Sequence, residues 1–240
     1  DLIEGVTGGR FHPNFNRIGG VKPAAGAGSQ TKKVIQDLPA GFLDDTRRAM
    51  DRVDKVCDQM VELVLGNEIF IERTKGVGII PKDRALEFGV SGPNLRASGV
   101  RFDLRKAEDY LPYDQFEFDV PVGAEGDCFD RYEVRLEEIR QAARIIRQAV
   151  DGIPGGDLQA KVPRIIKVPK GEVYVRAENP KGEMGYFVVS EGGRIPYRLK
   201  IRSASFSNVS VLPWLLKGQL VPDLIAILGS LDFVLGDVDR

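Results

Sequence analysis

Only two cysteines, Cys57 and Cys128, and one histidine, His12, occur among 240 residues. That scarcity excludes a structural zinc site or an iron–sulfur cluster ligated by this chain alone, since each needs about four thiolate or imidazole ligands. Carboxylates are plentiful, but they suit hard ions. A disulfide framework is not indicated either, and both thiols are expected to be buried. No Cys-x-x-Cys and no His-Glu-x-x-His is present. The runs Gly76-Val-Gly78 and Gly152-Ile-Pro-Gly155 fit neither a phosphate-binding loop nor a dinucleotide fingerprint, and turns are their plainer use. Charge of one sign is also lacking. The 34 basic and 35 acidic residues are interspersed, which excludes the basic field that nucleic acid requires. Apolar runs such as Ile225–Leu228 fall far short of the roughly 20 residues needed to span a bilayer. No signal peptide is read. The chain opens at Asp1, not Met, inside a polar, glycine-bearing run, and is expected to be a fragment or a processed product.

What is present supports a packed core, since 42% of the residues are hydrophobic. Residues 1–40 are rich in glycine and proline and read as an irregular loop region. From Leu43, the positions Met50, Val53, Cys57, Met60 and Val64 recur at helical spacing and predict a helix over about 43–66. Tyr132, Leu136, Ile139, Ala143, Ile146 and Val150 predict a second over 127–151, with Asp127 as N-cap and Gly152 and Pro154 as its stop. The two stripes are expected to pack together, burying Met60, Val64, Leu136, Ile139 and Ile146. Residues 76–119 read as a structured connection, and 41–160 as the helical core. Over 161–205, the β-rich stretches Glu172–Arg176, Gly185–Val189 and Tyr197–Arg202 predict a small antiparallel β-meander. Helices over Asn208–Leu216 and Pro222–Leu228 and a polar tail complete 206–240. The expectation is one α+β unit, dominated by helix.

Several side chains carry possible chemistry. His12, flanked by Arg10 and Arg17, is the one side chain whose type titrates near neutrality. It is a candidate proton-coupled group, although a hydrogen-bonded loop histidine is the commoner outcome. The arginines can pair with acids or face an anionic cofactor. Arg96 and Arg101 bracket a glycine-bearing loop, followed by Asp114, Glu117 and Asp119. Such carboxylates invite an acid–base reading, but a solvated face is more usual. Asp232, Asp237 and Asp239 stand in an apolar tail, where acids tend to be paired or shifted.

Five segments together resemble one family. They are Arg10-Phe-His-Pro-Asn-Phe-Asn-Arg-Ile-Gly-Gly-Val21, Ser91-Gly-Pro-Asn-Leu-Arg-Ala-Ser-Gly-Val-Arg-Phe-Asp-Leu-Arg105, Gly126-Asp-Cys-Phe-Asp-Arg-Tyr132, Arg144-Ile-Ile-Arg-Gln148 and the ending from Ile227 to Arg240. In this order, they resemble the C-terminal part of the quinone-site subunit of respiratory complex I, a family descended from the large subunit of nickel–iron hydrogenases. The ending also resembles the hydrogenase motif Asp-Pro-Cys-x-x-Cys, with Asp232 at its aspartate and Val234 and Asp237 at its cysteines. Without those thiolates the chain cannot hold nickel.

The resemblance implies a hydrogenase-large-subunit-like core inside a proton-translocating NADH:quinone oxidoreductase. It implies quinone as substrate, Asp232 and Val234 lining the quinone cavity, and His12 and Arg17 near a terminal [4Fe–4S] cluster bound by a smaller partner subunit. This chain by itself is expected to bind no cofactor or metal and to be inactive. A peripheral place on the cytoplasmic side of the inner membrane follows from the same likeness. The histidine and tyrosine that bind the quinone carbonyls in the family have no counterpart here. Asn16, where many relatives carry an aliphatic residue, and the insertion-like Pro23–Lys33 depart from the pattern. Two other readings are a subunit of a membrane-bound hydrogenase-related complex, which cysteines at 234 and 237 would have favoured, and a scaffold without quinone contact.

Overall fold

The computed structural model describes residues 1–24, 33–163 and 165–239. Residues 25–32, most of the insertion-like stretch, therefore lie outside the described residues. Before residue 41 the described elements are short, as the glycines and prolines predict. They are α1 (Leu2–Thr7), the two-residue strands β1 (Asn16–Arg17) and β2 (Gly20–Val21), and α2 (Val34–Asp37). Next, α3 (Phe42–Met60) runs into a π-helical turn over Val61–Leu65, so the predicted periodicity persists to its end with a wider last turn.

Four short helices follow: α4 (Glu68–Thr74), α5 (Lys82–Glu87), α6 (Pro93–Ala97) and α7 (Leu104–Ala107). The long α8 (Cys128–Asp151) starts where the sequence predicts, because Asp127 Oδ1 accepts the Asp130 N–H at 2.9 Å and satisfies an orphan donor of the first turn. Gly152 ends it. The meander is present as β3 (Gly171–Asn179), β4 (Gly182–Ser190) and β5 (Arg198–Arg202), in the order β3-β4-β5 with both pairings antiparallel. The chain closes with α9 (Ala204–Val209), α10 (Leu212–Leu215), α11 (Asp223–Leu231) and α12 (Leu235–Val238). The class is α+β, as expected. No helix among the described residues is long and apolar enough to cross a membrane.

The two long helices do pair, but not through the whole stripe that the sequence suggests. Arg47 binds Asp151 at 2.9 Å, Arg147 binds Asp51 at 3.0 Å and Asp54 at 2.6 Å, and Arg140 binds Asp58 at 2.8 Å, so α3 and α8 run antiparallel. Cys57, Ala143 and Val150 are buried, Val64 and Leu136 are half-buried, and Met60, Ile139 and Ile146 are exposed. Two helices laid side by side bury only the narrow line where they touch, and a broader apolar face needs a third layer. Truncating Met60, Ile139 or Ile146 therefore removes less buried surface than the spacing implied.

The densest core lies at the other end of α8. Ile80, Ala85, Val90, Leu95, Cys128, Val211, Leu215, Ile227 and Leu231 form it, with Phe88, Phe102 and Trp214 packed against its rim. The stretch Ser91–Ser98, expected to be a connection, is wholly buried. Close backbone approach explains this. A Cβ on Gly92, at φ 66°, would come within 2.4 Å of the Gly182 Cα, so glycine lets α6 lie directly under the β3–β4 turn.

Candidate functional site

On the core-facing side of α8, Arg131, Arg135 and Glu138 recur at steps of four and three, which stacks them on one face. Arg131 is fully buried. It donates to Gly126 O (2.8 Å), Gly78 O (2.9 Å) and Ser230 Oγ (2.9 Å), tying α8 to α11 and to the loop before α5. Burial pushes its guanidinium down. Arg135, one turn on, donates to Asn94 Oδ1 at 2.7 Å, and its Nε lies 3.4 Å from Asp232 Oδ2. Burial lowers Arg135 to about 10 against the pull of Asp232, which leaves it a cation at neutral pH.

Asp232 caps the C-terminus of α11 in the left-handed region, at φ 52° and ψ 49°. An aspartate tolerates that conformation better than a branched residue does. Lys181 reaches it from the β3–β4 turn, with Nζ 2.5 Å from Asp232 Oδ2. That turn is anchored: Asn208 Nδ2 donates to Lys181 O at 2.9 Å, and the Glu183 N–H donates to Ser91 Oγ at 3.1 Å. Lys181, Arg135 and Asp232 thus meet on the wall of a cleft of about 370 Å³, whose other lining includes Pro93, Tyr113, Ile139 and Ala142.

The lining of the same cleft includes a second charged group. Arg96 is 1% exposed and donates to Glu138 Oε1 (2.5 Å), Glu178 Oε1 (2.9 Å) and Phe102 O (2.9 Å). Burial opposes its charge, but Glu138, Glu178 and Asp103 hold it more firmly protonated than usual. Burial pushes Glu178 up against the pull of Arg96. Asp103 goes the other way: burial acts to raise it, yet the hydrogen bonds and charge of Arg105, followed by Arg96, hold it below the usual carboxylate range. A carboxyl depressed in the folded state stabilises the fold above its unfolded value, near 4, and loses that contribution as pH falls through the folded value. Replacing Asp103 with Asn is therefore expected to cost most stability near neutral pH, and progressively less below about pH 4. Urea unfolding at several pH values checks this. A cost independent of pH would contradict it.

The other sequence candidates are dispersed. Val234 is exposed and does not line the cleft; its N–H donates to Ser205 Oγ at 3.2 Å, while the Ser205 N–H donates to Asp237 Oδ2 at 2.9 Å. The two positions that align with hydrogenase cysteines are thus occupied in fastening α12 to α9. Glu117 and Asp119 are exposed and face Arg144 at 3.5 and 3.1 Å, the solvated arrangement, and Asp114, Arg101 and Asp239 are exposed as well. His12 lies on an exposed loop, and Arg17, also exposed, donates to Asn14 Oδ1 at 2.7 Å. Arg10 pairs with Glu4 at 2.8 Å. Their neighbours Phe11, Phe15 and Asn16 border a mostly apolar cleft of about 930 Å³, together with Met50 and Ile146. Ile146 stands eleven residues beyond Arg135 on α8, roughly 16 Å along the axis. His12 and Arg17 are thus not gathered with Asp232, but one helix serves both clefts.

A profile of the family described as respiratory-chain NADH dehydrogenase, 49 Kd subunit, matches residues 1–167 and 162–240. The chain belongs to this family. It is 47% identical over 239 residues to an NADH-quinone oxidoreductase subunit of Carboxydothermus hydrogenoformans, and 47% identical over 240 residues to the corresponding subunit of Geobacillus kaustophilus. With its counterpart in the NADH-quinone oxidoreductase of Opitutus terrae the identity is 44% over 266 residues. Each comparison covers 100% of this chain but only 59–62% of the relative, so the chain spans about three fifths of the length of these 49 kDa-family proteins.

Sequence reasoning missed Lys181, Arg135, Asn94 and Glu138 as neighbours of Asp232. One signal was available: three charged residues at helical spacing on the core side of α8. Nothing local marks Lys181, which arrives from 51 positions away.

Proposed function

We propose that the chain is a subunit of a proton-translocating NADH:quinone oxidoreductase and forms part of the wall of its quinone-reduction cavity, beside a terminal [4Fe–4S] cluster held by a smaller partner subunit. Family membership supports the complex. The observation that carries the cavity is the cleft where Lys181 and Arg135 converge on Asp232. Reducing a quinone to a quinol takes up two electrons and two protons, and negative charge develops on the carbonyl oxygens before the protons arrive. Fixed cations in a partly dry cleft stabilise such charge without reorganising. Lys181 and Arg135 supply them, while Asp232 keeps both aimed at one point. Apolar Pro93, Ile139 and Ala142 suit the flat ring. The electrons belong to the partner's cluster, and His12 and Arg17 are assigned to that side. The complex holds this subunit peripherally on the cytoplasmic side of the inner membrane.

The test uses the intact complex carrying Asp232→Asn. The expected result is normal assembly and normal NADH oxidation with an artificial acceptor, but quinone reductase activity several-fold lower. Unchanged quinone reduction would make the subunit a scaffold at this position.

A further inference from the structure

One face of the meander sheet and α9 enclose a groove of about 750 Å³. The register aligns Tyr174, Phe187 and Lys200 across three strands, with Arg198 two residues before Lys200 on the same face of β5. Tyr174 can lie flat because its neighbour is Gly185, where a Cβ would fall 2.3 Å from the tyrosine hydroxyl oxygen. Phe206 of α9 closes the opposite wall. Tyr174 is 48% exposed and Phe206 58%. Arg198 and Lys200 are exposed, and neither makes an ion pair among the described residues. In contrast, Arg202 at the inner end donates to Glu183 O (2.7 Å) and Gly89 O (3.0 Å). Among the described residues β5 pairs only with β4, so its outer edge offers backbone groups for a further strand.

We propose that the free edge of β5, beside this groove, is the docking site for an acidic, extended segment of a partner subunit, which adds as a fourth strand on β5 and places carboxylates against Arg198 and Lys200. The proposal rests on the reading that the chain works inside a multisubunit complex. Charge complementarity selects the partner: two unpaired cations, two residues apart on one strand, match acids at the same spacing on an added strand. Cations on an edge strand also deter unwanted pairing. A guard alone, however, needs no exposed aromatic beside it, and here Phe206, which follows β5 and lines the groove with Arg198 and Lys200, offers apolar surface to the segment.

The experiment treats the purified complex with a zero-length carbodiimide, which joins an amine to a touching carboxylate, and maps the linked peptides by mass spectrometry. The expected result is Lys200 joined to an aspartate or glutamate of another subunit. Lys200→Arg should abolish that link without loss of assembly, since guanidinium is not coupled under these conditions. Hydrogen exchange gives a second reading: the β5 amides that point away from β4 should exchange about tenfold or more slowly in the normal complex than in Arg198→Glu/Lys200→Glu. Both side chains are exposed, so the double variant keeps the fold. An active complex in which Lys200 is not joined to another subunit, and the β5 amides exchange equally fast in both forms, overturns the proposal and leaves the functional reading intact. Protection of Lys200 only by added phosphatidylglycerol vesicles would also overturn it, assigning the groove to lipid. A chain that purifies with no oxidoreductase subunits would sink the functional reading itself, and the proposal with it.

Discussion

Replacing Arg96 with alanine is expected to lower the unfolding free energy by about 3–5 kcal/mol, the cost of stripping one partner from a buried ion group. Arg96 is 1% exposed and sits among Glu138, Glu178 and Asp103, at 2.5, 2.9 and 3.7 Å. Without it, three carboxylates face one another, while Arg105 already serves Asp103 at 2.6 Å and Arg135 is turned to Asp232 and Asn94. Arg96 also donates to Phe102 O, leaving a backbone acceptor unpaired when it is removed. Arg96→Lys keeps the charge but not the fork of donors, so an intermediate loss is expected. The triple change Arg96→Met, Glu138→Leu and Glu178→Leu should recover much of the loss, because it removes the stranded charges together. Urea unfolding of the four proteins measures this order. A loss below about 1 kcal/mol for Arg96→Ala would mean that water or rearranged acids compensate the site.

The second large effect concerns His12, which is exposed here and which the proposed function puts on the cluster side of a partner interface. Reduction adds negative charge to a cluster, and a nearby imidazolium is stabilised by that charge. Proton and electron uptake are then linked. The cluster's midpoint potential should fall as pH rises, by at most roughly 59 mV per pH unit for one proton per electron. Met in place of His12 keeps much of the bulk and removes the titrating group. The variant complex is expected to assemble, with a lower and nearly pH-independent potential. Redox titration followed by electron paramagnetic resonance at several pH values is the measurement. If the variant keeps the pH dependence of the normal complex, His12 is an ordinary loop histidine and the titrating group lies elsewhere.

Elements defined by local chemistry were legible in the sequence. Asp127 and Gly152 bound α8 because caps act within one turn, and the meander's strands are marked by β-rich residues between glycine and asparagine turns. The family was also legible, since its motifs are short contiguous stretches and do not depend on packing. The dry core around Ser91–Ser98 was not, because that run has the polar, turn-rich composition of a surface loop; Gly92 and Gly182 let two backbones meet there, which no periodicity reports. The stripes of α3 and α8 named the right pair of helices but overstated its burial, for spacing gives the width of an apolar face and not what covers it.

Sequence by itself determined the class, the long helices, the family and the place of Asp232 in a motif, because each rests on residues within a turn or a strand of one another. Only tertiary structure decided that Asp232 points at Lys181 and Arg135, that Val234 stays out of the cleft, and that Arg96 sits among three acids from separate elements. Those arrangements join positions 42 to 97 residues apart, apart from Arg96 with Asp103. Charges at such separations meet only when burial brings them together, and it is burial that makes their pairing strong enough to define a site.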